Sequence, residues 1–289
     1  MMLTPLCLMS RLSRKLKNRN PCMYTLSSLS LYIPISPFYA SSSVRACSTE
    51  TSSGASTGDE ERKAGDDGFK KWRKPQDVFH EWSLDGRDAR MAAGHAEAVA
   101  EILGEALSQI GYPVHVNINR GDGFTAIDAG CGNGWVARKI KGTPGCRDAI
   151  GVDGAPGMIE RAKEIDPEGK YEVVDLKTWN PKEQVDLVHS MEVLYYLGDD
   201  LENVLNRIHS TWLRPGGVLA AGVDFYLEHK ESLEWPDIHN VKMRDLSERE
   251  WKKILEDSGF ERVKLWRAAR ASADNGAAGT LAMVAIKAR

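Results

Sequence analysis

Three aspartates and one glycine-rich loop are the residues of this 289-residue chain whose types and spacing could do chemistry. The run Ala126-Ile127-Asp128-Ala129-Gly130-Cys131-Gly132-Asn133-Gly134 leads from an apolar stretch into a helical one, and its glycines let a backbone approach a ligand where a Cβ would collide. Asp128 stands two residues before the first glycine, a place where a pyrophosphate would disfavour a carboxylate and a cationic ligand would welcome one. Asp153 ends the next apolar run, from which an acid can accept hydrogen bonds from both hydroxyls of a ribose. Asp175 ends the third, where a carboxylate can accept from an adenine amino group. Singly, each also reads as a helix cap or a water-facing acid. At three successive strand ends they form a constellation.

Such a constellation needs a sheet to carry it. Short apolar runs at 124–128, 149–153, 171–175, 186–189 and 218–224 alternate with helical stretches at 135–141, 155–165 and 199–213, and strand alternating with helix predicts a parallel sheet covered on both faces. A long helix over 88–110 precedes them, its Met91, His95, Val99, Ile102, Leu103 and Leu107 recurring at helical spacing until Gly111 and Pro113. A last helix at 247–258 opens with the capping box Ser247-Glu248-Arg249-Glu250. Two further strands, 262–268 and 279–286, follow with only a polar loop between them, so they pair antiparallel. The expectation is an α/β, Rossmann-like sheet of seven strands, mostly parallel with one reversed, and helices on both faces.

Charge narrows the partners. Six basic residues and no acid precede Glu50; removing them from the 38 Lys and Arg leaves 32 against 41 Asp and Glu, so residues 50–289 carry net −9. An acidic body disfavours nucleic acid as a partner. Only Cys131 and Cys146 lie in that body, with no C-x-x-C, which argues against a disulfide framework or structural zinc. The best apolar stretch, 22–40, is broken by serines, Pro34 and Pro37, so no membrane span is expected.

Further motifs fall in order behind the loop: Gly151-Val152-Asp153, Val173-Val174-Asp175, Val185-Asp186-Leu187-Val188-His189-Ser190-Met191-Glu192-Val193-Leu194 and Leu213-Arg214-Pro215-Gly216-Gly217. Together they resemble the motifs of class I S-adenosylmethionine-dependent methyltransferases, over about residues 75 to 287, and the segment from Ala221 to Tyr226, with Trp235, Pro236 and Met243, resembles a small-molecule, type-11-like branch. The resemblance implies S-adenosylmethionine as cofactor. It implies that Gly130, Gly132 and the backbone after the fourth strand hold the amino-acid half, that Asp153 and Asp175 orient the nucleoside half, and that Asp128, Cys131, Gly134, Gly154, Met158, Leu176 and Ser190 complete the site. Many relatives carry His where this chain has Tyr195 and Tyr196, so Tyr195 is the candidate base at that position.

A sulfonium methyl is already activated, so its transfer needs mainly a nucleophile held in line in a dry pocket, and positioning supplies up to roughly 7 to 11 kcal/mol of such a barrier. No metal is required and no ligand cluster stands out. His189, inside the fourth-strand motif, is a second candidate base, against the plain reading of a structural histidine. Acceptor contacts are expected from two inserts: Trp82, Arg87 and Arg90 before the first strand, and Tyr226 and His229 after the fifth. Arg87 or Arg90 would clamp a carboxylate bidentately, or else lie on a solvated helix face; Trp82 and Tyr226 would wall the pocket or be core. The expected acceptor is a small metabolite bearing a carboxylate, with a thioether acid such as 4-methylthio-2-hydroxybutyrate one candidate among amines and phenols. The acidic body and the lack of an Asn-Pro-Pro-Tyr-type motif disfavour nucleic-acid and protein acceptors. A NAD-dependent oxidoreductase, or a non-catalytic assembly partner with a methyltransferase fold, are the alternatives.

Residues 1–48 are rich in Ser, Arg and Leu and lack acid, the composition of an organelle import peptide with a basic amphipathic segment at 11–19. Arg45, two residues before a cut after Ala46, points to the mitochondrion, with the plastid as alternative. A disordered tail, or a secretory signal with its apolar part at 24–38, are the competing readings. Residues 49–68 read as a polar linker and 69–289 as the folded domain.

Overall fold

The computed structural model describes residues 71–110, 123–269 and 278–289. The expected leader and linker, and the loop containing Asn275 and Gly276, lie outside the described residues.

The domain begins with α1 (Pro75–Asp85) and α2 (Asp88–Ile110). The alternating part follows as β1 (Phe124–Ala129), α3 (Trp135–Lys141), β2 (Cys146–Asp153), α4 (Pro156–Ile165), β3 (Lys170–Val173) and β4 (Val185–Met191). A 3-10 stretch at Leu194–Asp200 leads into α5 (Leu201–Arg207), a π-helical turn at Ile208–Trp212, and β5 (Leu213–Val223). The chain then runs through α6 (Trp235–His239), α7 (Glu248–Asp257), β6 (Glu261–Ala268) and β7 (Thr280–Ile286). The seven strands form one sheet in the order β3-β2-β1-β4-β5-β7-β6, with β7 antiparallel to both neighbours and all other pairings parallel. That is the expected sheet with one reversed strand.

The central strands β1, β4, β5 and β7 bury both faces, which is why they read as apolar runs rather than as alternations, whereas the outer β3 and β6 are largely exposed. In β1, Ala126 belongs to the core cluster that holds Val99, Ile102 and Leu103 of α2, and Ile127, facing the other way, to the cluster that holds Val204 and Leu205 of α5 and Trp251 of α7. Asp175 falls two residues beyond β3, in the turn that follows. The helix expected over 199–213 is divided into a 3-10, an α and a π part. The helix α1 is not among the expected elements: Val78, Phe79 and Trp82 stand at helical spacing, but the stripe is short and of α1 only Val78 is buried.

Candidate active site

In an open α/β sheet the ligand sits at the carboxyl ends of the strands where the order reverses, here between β1 and β4. A cleft of about 380 Å³ lies there, within the roughly 300 to 1000 Å³ range of small-molecule sites. Its floor is the loop after β1 and the ends of β2, β3 and β4; α1 supplies the opposite wall through Gln76 and Phe79.

The three loop glycines have different causes. All have positive φ (77° at Gly130, 53° at Gly132, 78° at Gly134), but a Cβ on Gly130 would meet Val193 Cγ2 at 2.2 Å and one on Gly134 would meet the Tyr171 ring at 2.5 Å. Those two are demanded by protein neighbours. A Cβ on Gly132 would meet nothing within 4 Å, so Gly132 alone keeps its backbone open to the cleft. This corrects the expectation that all three serve a ligand's approach.

Asp153 organises this loop. Its Oδ2 accepts the Gly132 amide at 2.9 Å and its Oδ1 the Ala155 amide at 2.8 Å, and burial, partly offset by these bonds, raises its carboxyl above the usual range. A carboxylate offers about four lone-pair sites, so these backbone bonds leave capacity for a ligand. Gly154, Met158, Asp175 and Leu176 line the same cleft, with Asp175 exposed and its Oδ1 accepting the Lys177 amide at 2.9 Å. Asp128 and Cys131 line a narrower crevice that continues behind Gly130 and Gly132. Asp128 is 3% exposed and its Oδ2 finds no partner among the described residues, an unsatisfied buried acceptor that fits a ligand's cation. Burial lifts the Cys131 thiol well above its ordinary value, so it acts there as a small apolar group.

Several expected residues lie elsewhere. His189 is fully buried with Nδ1 2.7 Å from Asp128 Oδ1, out of reach of an acceptor, so it is not a base. Ser190, equally buried, donates to Ala129 O at 2.9 Å and ties β4 to β1. Tyr195 is buried and donates its hydroxyl to Glu192 Oε2 at 2.9 Å; burial and the Glu192 charge push its own ionisation far up, so it positions another group instead of accepting a proton. Arg87 and Arg90 are exposed and do not line the cleft; Arg87 pairs with Asp85 at 2.8 Å and lies over the Trp82 ring. Trp82 packs edge-on against Phe79 and His239. Tyr226 is fully buried beneath Arg267 and donates to Gly279 O at 2.7 Å, and His229 is taken up by Asp224 O and Glu231.

What the sequence reading missed is Glu192. It sits immediately beyond β4 with φ 60°, a left-handed conformation a non-glycine residue rarely adopts, and it lines both the cleft and the crevice. Its Oε1 accepts the Asp224 amide at 2.5 Å and its Oε2 the Tyr195 hydroxyl. His95 of α2 and Asp224 beyond β5 join it, with ligand-capable atoms of all three within 4.8 Å of one another. The expectation of no such cluster is thereby corrected; its members are too far apart in sequence for spacing to show it. His95 Nδ1 faces Met91 O at 2.9 Å and Nε2 faces Asp224 Oδ2 at 3.3 Å. Burial opposes its charge, but the bond to Asp224 and the charges of Glu192 and Asp224 prevail and raise it to about 9. Burial and the Asp224 charge push Glu192 up to about 8, with His95 and Tyr195 pulling the other way. Burial likewise opposes ionisation of Asp224, yet His95 holds it below the usual range. The cue was available: an acid directly at the end of β4, the strand flanking the reversal point.

Comparison with known proteins follows this geometry. Residues 88–265 match the model of a family described as "Methyltransferase domain". A trans-aconitate 2-methyltransferase of Methylobacterium radiotolerans is 37% identical over 95 residues, 33% of this chain and 36% of that protein. One from Shigella dysenteriae is 28% identical over 156 residues, 48% of this chain and 57% of that protein. The chain thus spans about a third to just over half of the length of these curated relatives. Among solved structures, the complex between the Haloferax volcanii Trm112 methyltransferase activator and a putative methyltransferase matches with TM-score 0.62 and 25% identity, over 76% of this chain and 100% of that one.

Proposed function

The chain belongs to the methyltransferase domain family, in its class I, S-adenosylmethionine-dependent form, and from that premise we propose that it methylates a small-molecule acceptor seated between α1 and the end of β4. The observation that carries this reading is Gly132, open to the cleft beside an Asp153 carboxylate with capacity for a ligand. Asp153 would accept from the two ribose hydroxyls, Asp175 from the adenine amino group with Met158 and Leu176 as apolar walls, and Asp128 Oδ2 would meet the cofactor's ammonium. When bound, the cofactor supplies an electrophilic methyl group on a sulfonium. The chain's own task is to bind, to keep the acceptor in line and to exclude water: Phe79, Met91, Met191 and Tyr196 make the walls largely apolar.

A second reading has its own support. The curated relatives are named trans-aconitate 2-methyltransferases, and Lys74 at the rim of the cleft offers a cation to a carboxylate or thioether acid. Residues 1–48 are read with it as a mitochondrial import leader, with a plastid as the alternative destination.

Calorimetric titration tests the cofactor reading. S-adenosylhomocysteine is expected to bind and NAD not to; the reverse would make the chain an oxidoreductase. Binding with no transfer to any small acceptor would favour the non-catalytic assembly partner.

A further inference from the structure

Resting on the methyltransferase reading, we infer that the acceptor is an amine, which arrives as an ammonium ion and gives its proton to Glu192, with His95 and Asp224 as positioning residues. Two carboxylates and one imidazolium make a net negative seat when Glu192 is ionised, and Glu192 is the member that lines the cleft. A carboxylate acceptor would bring a third negative charge against Glu192 and Asp224 and needs no base. An ammonium ion is attracted there and must lose a proton before its nitrogen has a lone pair to donate. The aromatic side chains of Phe79 and Tyr196 line the same cleft, apolar walls compatible with an organic cation.

The proton step balances without a co-reactant. An N–H bond of the ammonium breaks, its electron pair stays on nitrogen, and an O–H bond forms on the Glu192 carboxylate. The nitrogen becomes a neutral nucleophile and Glu192 becomes neutral. The methylated amine leaves as a cation, and Glu192 returns its proton to water.

The neighbours of Glu192 suit this task. His95 from α2 lowers its proton affinity, Asp224 from beyond β5 raises it, and Tyr195 holds one oxygen while the Tyr196 ring is packed against Tyr195. The balance leaves Glu192 titrating at about 8, between an ordinary carboxyl and an aliphatic amine, where proton transfer runs in either direction. Tyr195 donates to one oxygen and the Asp224 amide to the other, so the carboxylate is held in one orientation.

The test uses the full chain with a panel of primary and secondary alkylamines and arylalkylamines, each paired with the carboxylate of the same skeleton. Labelled methyl transfer and calorimetric binding to the S-adenosylhomocysteine complex are both read. Amines are expected to bind and accept methyl. At a pH above 8, where Glu192 is ionised, Glu192→Gln should weaken amine binding about tenfold or more while leaving S-adenosylhomocysteine affinity unchanged. Infrared titration of the ligand-free protein should show a carboxylic acid ionising at about 8 in the wild type and none in E192Q. His95→Gln should move the acid limb of kcat/KM for the amine to higher pH, which a merely structural histidine would not do. Transfer to the carboxylates, or no amine binding by a protein that binds S-adenosylhomocysteine, overturns the amine inference alone. Failure to bind S-adenosylhomocysteine overturns the methyltransferase reading beneath it.

Discussion

His189 Nδ1 lies 2.7 Å from Asp128 Oδ1, directly across the β1–β4 pairing, with both side chains buried in the sheet. The contact assigns the roles of both atoms: Nδ1–H donates, Oδ1 is satisfied, and Oδ2 is left for the crevice. His189 therefore holds Asp128 in place.

A first prediction follows from that pairing. His189→Leu should cost about 1 to 3 kcal/mol of stability, because it leaves a buried carboxylate oxygen unpaired, and should weaken cofactor binding through Asp128. Chemical denaturation and calorimetry with S-adenosylhomocysteine measure the two effects. A variant of full stability whose only defect is a lost acid limb in the pH profile would restore His189 as a base.

The loop glycines separate packing from binding. Gly134→Ala should lose about 2 to 4 kcal/mol of stability, since it adds a Cβ against Tyr171 at a backbone angle that alanine disfavours. Gly132→Ala should lose only about 1 to 2 kcal/mol, the backbone term alone, while weakening S-adenosylhomocysteine binding about tenfold or more. Thermal melts beside calorimetry decide. Equal binding losses in both variants would mean that Gly132 does not face the ligand.

Asp153→Ala should weaken S-adenosylhomocysteine binding by about 1.5 to 3 kcal/mol, and Asp175→Ala by less than half of that. The asymmetry comes from burial: Asp153 is fixed by two backbone amides inside the cleft, whereas Asp175 is exposed and competes with water. Calorimetry on both variants tests it, and a larger loss from Asp175→Ala would contradict the assignment.

The sheet and its loop were legible in the sequence because both follow from local rules. Apolar runs ending in Asp128 and Asp153 give strands and strand ends, and Ser247 with Glu250 gives a helix start that the structure realises as a capping box. The acceptor side was not legible. Tyr226 and Trp82 are aromatic residues in an insert, a description equally true of core, and only packing reveals that Tyr226 is buried beneath Arg267. Glu192, His95 and Asp224 come from three elements that the fold, not their spacing, brings together.

The same trio predicts how stability varies with pH. Glu192 and His95 both bind a proton more tightly in the folded chain, about 8 against an ordinary 4.5 and about 9 against 6.5. Folded protein thus carries more protons than unfolded from about pH 4.5 for Glu192 and from about pH 6.5 for His95. Their contribution is fully present below those values and is lost as pH rises to about 8 and about 9 respectively. The melting temperature of the ligand-free protein should fall between pH 6.5 and 9, and Glu192→Gln should flatten the lower half of that fall. A melting temperature that rises across this window would contradict the assigned charges.

The last prediction concerns the two faces of the segment before β1. Gly86, with φ 75°, ends α1 in a left-handed turn that begins α2 two residues later, so Arg87 and Arg90 emerge at a corner exposed to solvent. Phe79, two helical turns earlier, faces the cleft and packs edge-on against Trp82 and Tyr196, with ring centroids 5.1 and 5.3 Å away. A surface arginine over a tryptophan contributes little, whereas two aromatic pairs are worth about 0.5 to 1.5 kcal/mol each. Arg87→Met and Arg90→Met should therefore leave kcat/KM for the methyl acceptor within about twofold of wild type. Phe79→Ala should lower it about tenfold, chiefly through KM, because the wall holding the acceptor is lost while the chemistry is not. Steady-state kinetics on the three variants checks this. A rise of KM in either arginine variant, with S-adenosylhomocysteine affinity unchanged, would bring back the carboxylate clamp and count against an amine beside Glu192.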